Sequence, residues 1–351
     1  MEEITNIRYE NENKLIKKNK DIIIGIRILR IVLSFMVVMD HFYNKKKIQN
    51  YHYILYYHIP CFFLISFFFT YKTFSSFNIQ KIKLRLERIL IPYFCWSIIS
   101  WIIRIIYFYK MEKNCEHSFR DFISNLINGH IFNVVLWFQN ILILVTLIFL
   151  IILFTFKFYY LLVFQILFII SYFLQYSSIN YNFFQKYFSK HSRSTFGRFF
   201  EAIPHAITGF ILGKFDIIKL IKKKKITIFF FTLIFLILIS KYEVFADLKT
   251  YKYGGFRLNI ASVCIFILFS LIPNKIYNCK LKNSIIMEMT NYTGGVYFTH
   301  YLVGTGYICS SINLVKKRTI LGCIIIYLLS YGLSFIGIKF LGNTKLKHLF
   351  I

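Results

Sequence analysis

The sequence predicts an all-α fold, a polytopic transmembrane helical bundle of about ten spans with both termini in the cytoplasm. Three observations carry that expectation. The chain is 57% apolar over 351 residues, with a mean hydropathy of +0.57. Its apolar residues come in runs close to the length that crosses a hydrocarbon core. Its basic residues lie mostly between those runs, where they set topology and meet anionic headgroups. A formal net charge of +28 would point a soluble protein towards nucleic acid. Here it points to the lipid bilayer, so no nucleic-acid partner is expected, and the expected location is the cell membrane.

Residues 1–21 read as a polar tail, 22–341 as a single membrane domain and 342–351 as a short C-terminal tail. No cleavable signal peptide is expected, because the apolar run after the tail lacks a small-residue cleavage site. The first span is 22–43, followed by a loop with Lys45, Lys46 and Lys47. The second is 53–71. A basic segment, KIKLRLER, then leads into a third span at 89–109, with Pro92 expected in its first turn. After a polar loop at 110–133 come 134–156 and 158–176, divided only by Lys157. Another polar loop, 177–197, precedes three shorter runs at 199–215, 226–240 and 258–273. Runs at 290–311 and 319–341 complete the set.

Loop charge orients the bundle. With the N-terminus inside, 23 Lys and Arg fall in cytoplasmic segments and 17 outside, with Arg27, Arg30 and Arg104 within spans. Lys214 and Lys339 are counted with the cytoplasmic loops they border. The run Lys222–Lys225 is the strongest inner-side signal. The seven cysteines form no C-x-x-C pair and mostly lie in apolar runs, which suits packing rather than metal binding. No zinc motif, P-loop, G-x-S-x-G or paired glycosidase carboxylates are present, and no metal is expected.

Against this apolar background the ionisable residues stand out, since charge within a span is costly and usually functional. Arg30 and His41 lie eleven residues apart on one helix, which puts them on one face about 16 Å apart along the axis. One reading has Arg30 snorkelling to the interface and His41 capping a helix end. The other has a guanidinium holding phosphate and an imidazole acting as general base. Asp40 precedes His41, but successive helical residues point about 100° apart, so the two are not expected to act as a dyad. Arg85 and Arg88 put two guanidiniums on one cytoplasmic helix face, suited to phosphate. With Arg30 they would form a phosphate cradle open to the cytosol.

His300 falls near mid-membrane and could assist catalysis or simply bond a neighbouring helix. Arg198, Glu201 and His205 are spaced i, i+3 and i+7 at an outer helix mouth, with Pro204 between them. They could hold a polar acceptor such as a sugar or form a self-satisfied network. His58, Ser66 and Trp137 are expected to be membrane-facing or packing residues.

These elements together resemble the acyltransferase-3 family of integral membrane acyltransferases, of the surface-polysaccharide O-acetyltransferase type. The resemblance rests on Arg-x10-His at Arg30 and His41, HIPCFFLIS at His58 to Ser66, and RLERILIP at Arg85 to Pro92. It continues with LWFQNIL, AITGFILGKF and GVYFTH in the family's order, covering nearly the whole chain. Phe67 stands where the family usually has glycine, and Tyr301 where it often has proline. Neither departure alters Arg30 or His41.

The resemblance implies an acyl-coenzyme A donor, acetyl by default, bound from the cytoplasm by Arg30, Arg85 and Arg88. It implies transfer to a hydroxyl of a cell-surface carbohydrate, with His41 as base. His300 could then assist, and Arg198, Glu201 and His205 could hold the acceptor. Polysaccharide-synthesis proteins would then be natural partners. The alternative is a transporter or flippase for a polysaccharide or lipid-linked sugar. A transporter has no need of a phosphate cradle joined to a base three turns away.

Overall fold

A computed structural model describes residues 24–43, 56–110, 122–123, 126, 136–176, 190–243, 255–272, 280–305, 318–341, 344 and 346. Among the described residues are twelve α-helices and no strand. They are α1 (Ile24–Phe42), α2 (His58–Phe74), α3 (Ile79–Lys110), α4 (Leu136–Thr155), α5 (Tyr160–Tyr176) and α6 (Lys190–Lys214). Then follow α7 (Ile217–Lys223), α8 (Lys225–Glu243), α9 (Phe256–Ser270), α10 (Lys280–Asn291), α11 (Thr293–Thr305) and α12 (Ile320–Leu341). Each expected span overlaps one of these helices. Three segments are long and apolar enough to cross a membrane: Ile79–Ile103 of α3, α4 and α12. Apolar stretches of α5, α8 and α9 are shorter. The tail at 1–21, most of 342–351 and most of the two long polar loops lie outside the described residues.

Three boundaries differ from the sequence expectation. The basic segment KIKLRLER is not a lead-in but the first turns of α3, so Pro92 sits well inside a 32-residue helix. Hydropathy stops at the charged face, whereas Lys, Leu, Arg and Glu all favour helix. Similarly, α6 begins at Lys190, within the expected polar loop, so Pro204 is also interior. The ninth expected span breaks at Tyr292, which separates α10 from α11.

An interior proline leaves the carbonyl four residues earlier without its helical donor. For Pro204 that carbonyl belongs to Phe200, and Gln175 Nε2 of α5 donates to it at 2.8 Å. The same amide accepts from the Gly255 backbone N–H, just before α9, at 2.8 Å. Near Pro92, Gln139 Nε2 of α4 donates to the Ile89 carbonyl at 2.9 Å. A side-chain amide from a neighbouring helix thus repairs the ladder at Pro204, which a lipid solvent could not do. At Pro92 the abandoned carbonyl is that of Arg88, one residue before the one Gln139 meets.

Helices in lipid associate by close packing rather than by escape from water. The most extensive seam among the described helices joins α2 and α6. A Cβ at Gly209 would meet the Leu64 carbonyl oxygen at 2.2 Å, and one at Gly213 the Phe68 oxygen at 2.6 Å. These glycines belong to AITGFILGKF, so the close approach to α2 is supplied from α6. Phe67, which stands where a glycine was anticipated, packs instead on Phe149 of α4, with ring centroids 4.6 Å apart. Phe149 in turn meets Phe164 of α5 at 4.4 Å, and Phe164 meets Phe210 of α6 at 5.4 Å. All four rings are buried and join four helices around one aromatic core.

Candidate functional site

The packing leaves a cavity of about 370 Å³ lined from α1, α2, α3, α4 and α11. Arg30, Arg85 and Arg88, expected to converge, all line it. Arg30 reaches it from the second turn of α1, and its Nη2 donates to Thr293 Oγ1 at 3.2 Å. Thr293 is the first residue of α11, and its own hydroxyl donates to the Thr290 carbonyl at 2.8 Å. Arg85 Nη2 donates to Ser66 Oγ of α2. Its Nε is buried and has no hydrogen-bond partner among the described residues. Among the described residues no carboxylate lines the cavity. Both guanidiniums therefore rest on neutral hydroxyls, which orient them without cancelling their charge.

Ser66 is more than a packing residue, since it lines the cavity and holds Arg85. Thr293, Gln139 and Tyr297 also line it and were not anticipated. Gln139 and Tyr297 stood inside quoted sequence elements and Thr293 two residues before one, but nothing local marks a hydroxyl that meets an arginine 263 residues away.

The rest of the lining is aromatic and aliphatic. Phe298 lines the cavity and stacks on Trp96 of α3, with centroids 5.8 Å apart and planes 8° from parallel. Tyr297, also lining, packs on Phe138 of α4 at 5.4 Å. Behind Tyr297, with ring centroids 6.2 Å apart, is His300.

His300 is fully buried and meets His41, the two rings 5.3 Å apart. Its Nδ1 lies 2.9 Å from the Val296 carbonyl. A carbonyl only accepts, so Nδ1 carries the proton and Nε2 presents its lone pair. That Nε2 is buried and has no hydrogen-bond partner among the described residues. A buried acceptor in this state is suited to take a proton from a substrate hydroxyl. The helix α1 continues through Phe42, so Asp40, also buried, and His41 leave it on different faces. Tyr301, in the position where proline was anticipated, stands edge-on to His41 with centroids 6.0 Å apart. That departure therefore does reach the histidine pair.

The α6 cluster is separate from the cavity lining. The Arg198 guanidinium lies 4.1 Å over the Trp137 ring, a cation–π contact. Glu201 is buried, as is His205. His205 Nδ1 meets Asn259 Oδ1 of α9 at 3.3 Å, and Asn259 Nδ2 donates to Tyr172 Oη at 3.1 Å and Thr208 Oγ1 at 3.0 Å. His205 is thus built into a network of neutral groups joining α5, α6 and α9.

Among the described residues no group of three or more histidine, cysteine, aspartate or glutamate side chains could hold a metal ion. Cys61, Cys95, Cys264 and Cys323 are free thiols within helices.

A family model described as an acyltransferase domain matches residues 23–341, nearly the whole chain. No curated protein and no solved structure matches.

Proposed function

This chain belongs to the acyltransferase-3 family, and on that premise we propose that it is a membrane-bound O-acyltransferase. It moves an acyl group, acetyl by default, from acyl-coenzyme A to a hydroxyl of a cell-surface carbohydrate at the cell membrane. The observation that carries this reading is the pairing of an arginine-lined cavity with two contacting histidines reached from the same helices. Arg30 and His41 come from α1, and Thr293 and His300 from α11.

In this reading Arg30, Arg85 and Arg88 hold the donor's phosphates from the cytoplasmic side. The donor's arm runs along the apolar wall towards the histidines, over the roughly 16 Å that separates Arg30 from His41 along a helix. His41 removes the proton from the acceptor hydroxyl, and His300, with its Nε2 lone pair, assists or shares that proton. The hydroxyl oxygen attacks the thioester carbonyl, the C–O bond forms and the C–S bond breaks. The departing thiolate takes up the proton. No protein nucleophile is needed. Arg198 and Trp137 form a guanidinium-capped aromatic face next to the cavity-lining Phe138, suited to a polar acceptor. Glu201 and His205 would support that face from behind.

The test is transfer by the full chain in proteoliposomes supplied with labelled acetyl-coenzyme A and an extract of surface glycans. Labelled, acylated glycan detected by mass spectrometry is the expected result. Transport of glycan or lipid-linked sugar with no acyl transfer from any acyl-coenzyme A would overturn the enzyme reading in favour of a transporter.

A further inference from the structure

The arginine-lined cavity and the histidine pair are built on the same two helices, yet they are not continuous. On α11, Thr293, Tyr297 and His300 are spaced i, i+4 and i+7 and share one face. On α1, Arg30, Ser34, Val37 and His41 do the same. The cavity follows these faces only part of the way. Arg30, Thr293 and Tyr297 line it, whereas Ser34, Val37, His41 and His300 do not. Ser34 is buried against Tyr327 of α12, with 3.1 Å between the hydroxyl oxygens, and Val37 is buried in the apolar core.

Tyr297 stands at the boundary. Its side chain lines the cavity, while its ring centroid lies 6.2 Å from that of His300. From α4, Phe138 also lines the cavity and meets the Tyr297 ring at 5.4 Å. Phe138 is held in turn by Phe63 of α2, with centroids 4.6 Å apart. Rings from α11, α4 and α2 thus form an aromatic partition where the cavity ends. Beyond it the two histidines differ, for His300 is fully buried and His41 only half-buried. The Nε2 of His300 has no hydrogen-bond partner among the described residues. A base in that state activates water as well as a sugar hydroxyl. A thioester resting against it without an acceptor would be hydrolysed. The water oxygen would bond to the thioester carbonyl carbon, the C–S bond would break and the thiolate would take up the proton.

We infer that Tyr297, braced by Phe138, is the barrier between the cavity and the histidine pair. Its displacement is the step that admits the thioester, and its presence favours transfer to the acceptor over hydrolysis. Closing elements at active sites commonly serve to keep water from a reactive group in this way. The barrier itself follows from the packing, whereas the thioester's part in it rests on the acyl-coenzyme A reading.

The experiment uses the purified full chain in detergent and has two readouts. The first needs no substrate. Diethyl pyrocarbonate modifies neutral imidazole nitrogens, and its attachment to His300 is followed by peptide mass spectrometry. Tyr297→Ala should raise the rate at His300 by about tenfold or more over wild type, because a rarely populated open state becomes the resting one. Tyr297→Phe keeps the ring and should stay as protected as wild type. Phe138→Ala removes the brace and should also expose His300, which preserves the test if Tyr297→Ala fails to fold. Modification of His300 in wild type as fast as in the folded Ala variants would overturn the barrier. The second readout is labelled acetate released from acetyl-coenzyme A without acceptor, which should rise in Tyr297→Ala. Unchanged hydrolysis in a variant that still acylates glycan would overturn the role in favouring transfer. An exposed His300 with neither hydrolysis of nor transfer from any acyl-coenzyme A would keep the barrier and remove the donor reading.

Discussion

The arginine cavity and the α6 cluster both place ionisable groups among apolar helices, yet they are held in different ways. His205 meets Asn259, whose amide oxygen faces the imidazole while its nitrogen donates to Tyr172 and Thr208. Around Arg30 and Arg85 the partners are Thr293 and Ser66, neutral hydroxyls that fix direction but leave the positive charge in place. A buried charge without a counter-charge is expensive unless something else supplies one. The comparison teaches that inside a bundle a ligand site is recognised by what its own residues leave uncompensated. The number of charged residues it contains is a poorer guide.

The largest expected effect tests the chemistry beyond the cavity. His41→Ala should lower acyl transfer per inserted protein by about 10²–10⁴-fold, the usual worth of a positioned general base. His41→Gln keeps size and hydrogen bonding but not basicity, and it should be nearly as inactive. Substantial glycan acylation by the Gln variant would move the base role to His300, whose Nε2 is already poised for it.

Next comes the cavity itself. Arg85→Ala should weaken acyl-coenzyme A binding by roughly 10- to 150-fold, the equivalent of about 1.5–3 kcal/mol. His205→Asn should leave that affinity unchanged. Titration of both purified variants decides the matter, and donor affinity lost equally in both would erase the contrast between the two regions.

Stability should show the opposite pattern. Asn259→Ala strips partners from His205, Tyr172 and Thr208 and should destabilise the solubilised protein by about 1–3 kcal/mol. Gly209→Ala, whose methyl would run into the Leu64 backbone, should cost a similar amount. Thermal unfolding monitored for both variants checks this, with Gly332→Ala as the small end of the scale. A Cβ there meets nothing within 4 Å, so its effect should stay within about 0.5 kcal/mol.

Much of this was legible before any coordinates. Apolar runs located the helices, Arg30 stood out because a guanidinium is rare inside a span, and Arg85 and Arg88 by the spacing that puts both on one helix face. What hydropathy missed was helix continuing through charge, as in the first turns of α3, and helix breaking inside an apolar run, as at Tyr292. The supporting residues were hidden for a different reason. Ser66 and Thr293 are ordinary in sequence and gain meaning only when folding brings an arginine to each. Phe67, standing where the family usually has glycine, gave no sign of a tight contact on α2, and the absent bulk lies on the facing helix, at Gly209 and Gly213.

The amide of Gln175 carries a consequence for biogenesis. It takes over the Phe200 carbonyl that Pro204 abandons and also receives the Gly255 N–H. A solitary α6 released into hydrocarbon would expose that carbonyl to lipid, at a cost of several kcal/mol. The protein synthesised just before it already holds the remedy, on α5. The two segments therefore gain by leaving the insertion machinery as a pair, and the Gly255 N–H before α9 meets the same glutamine.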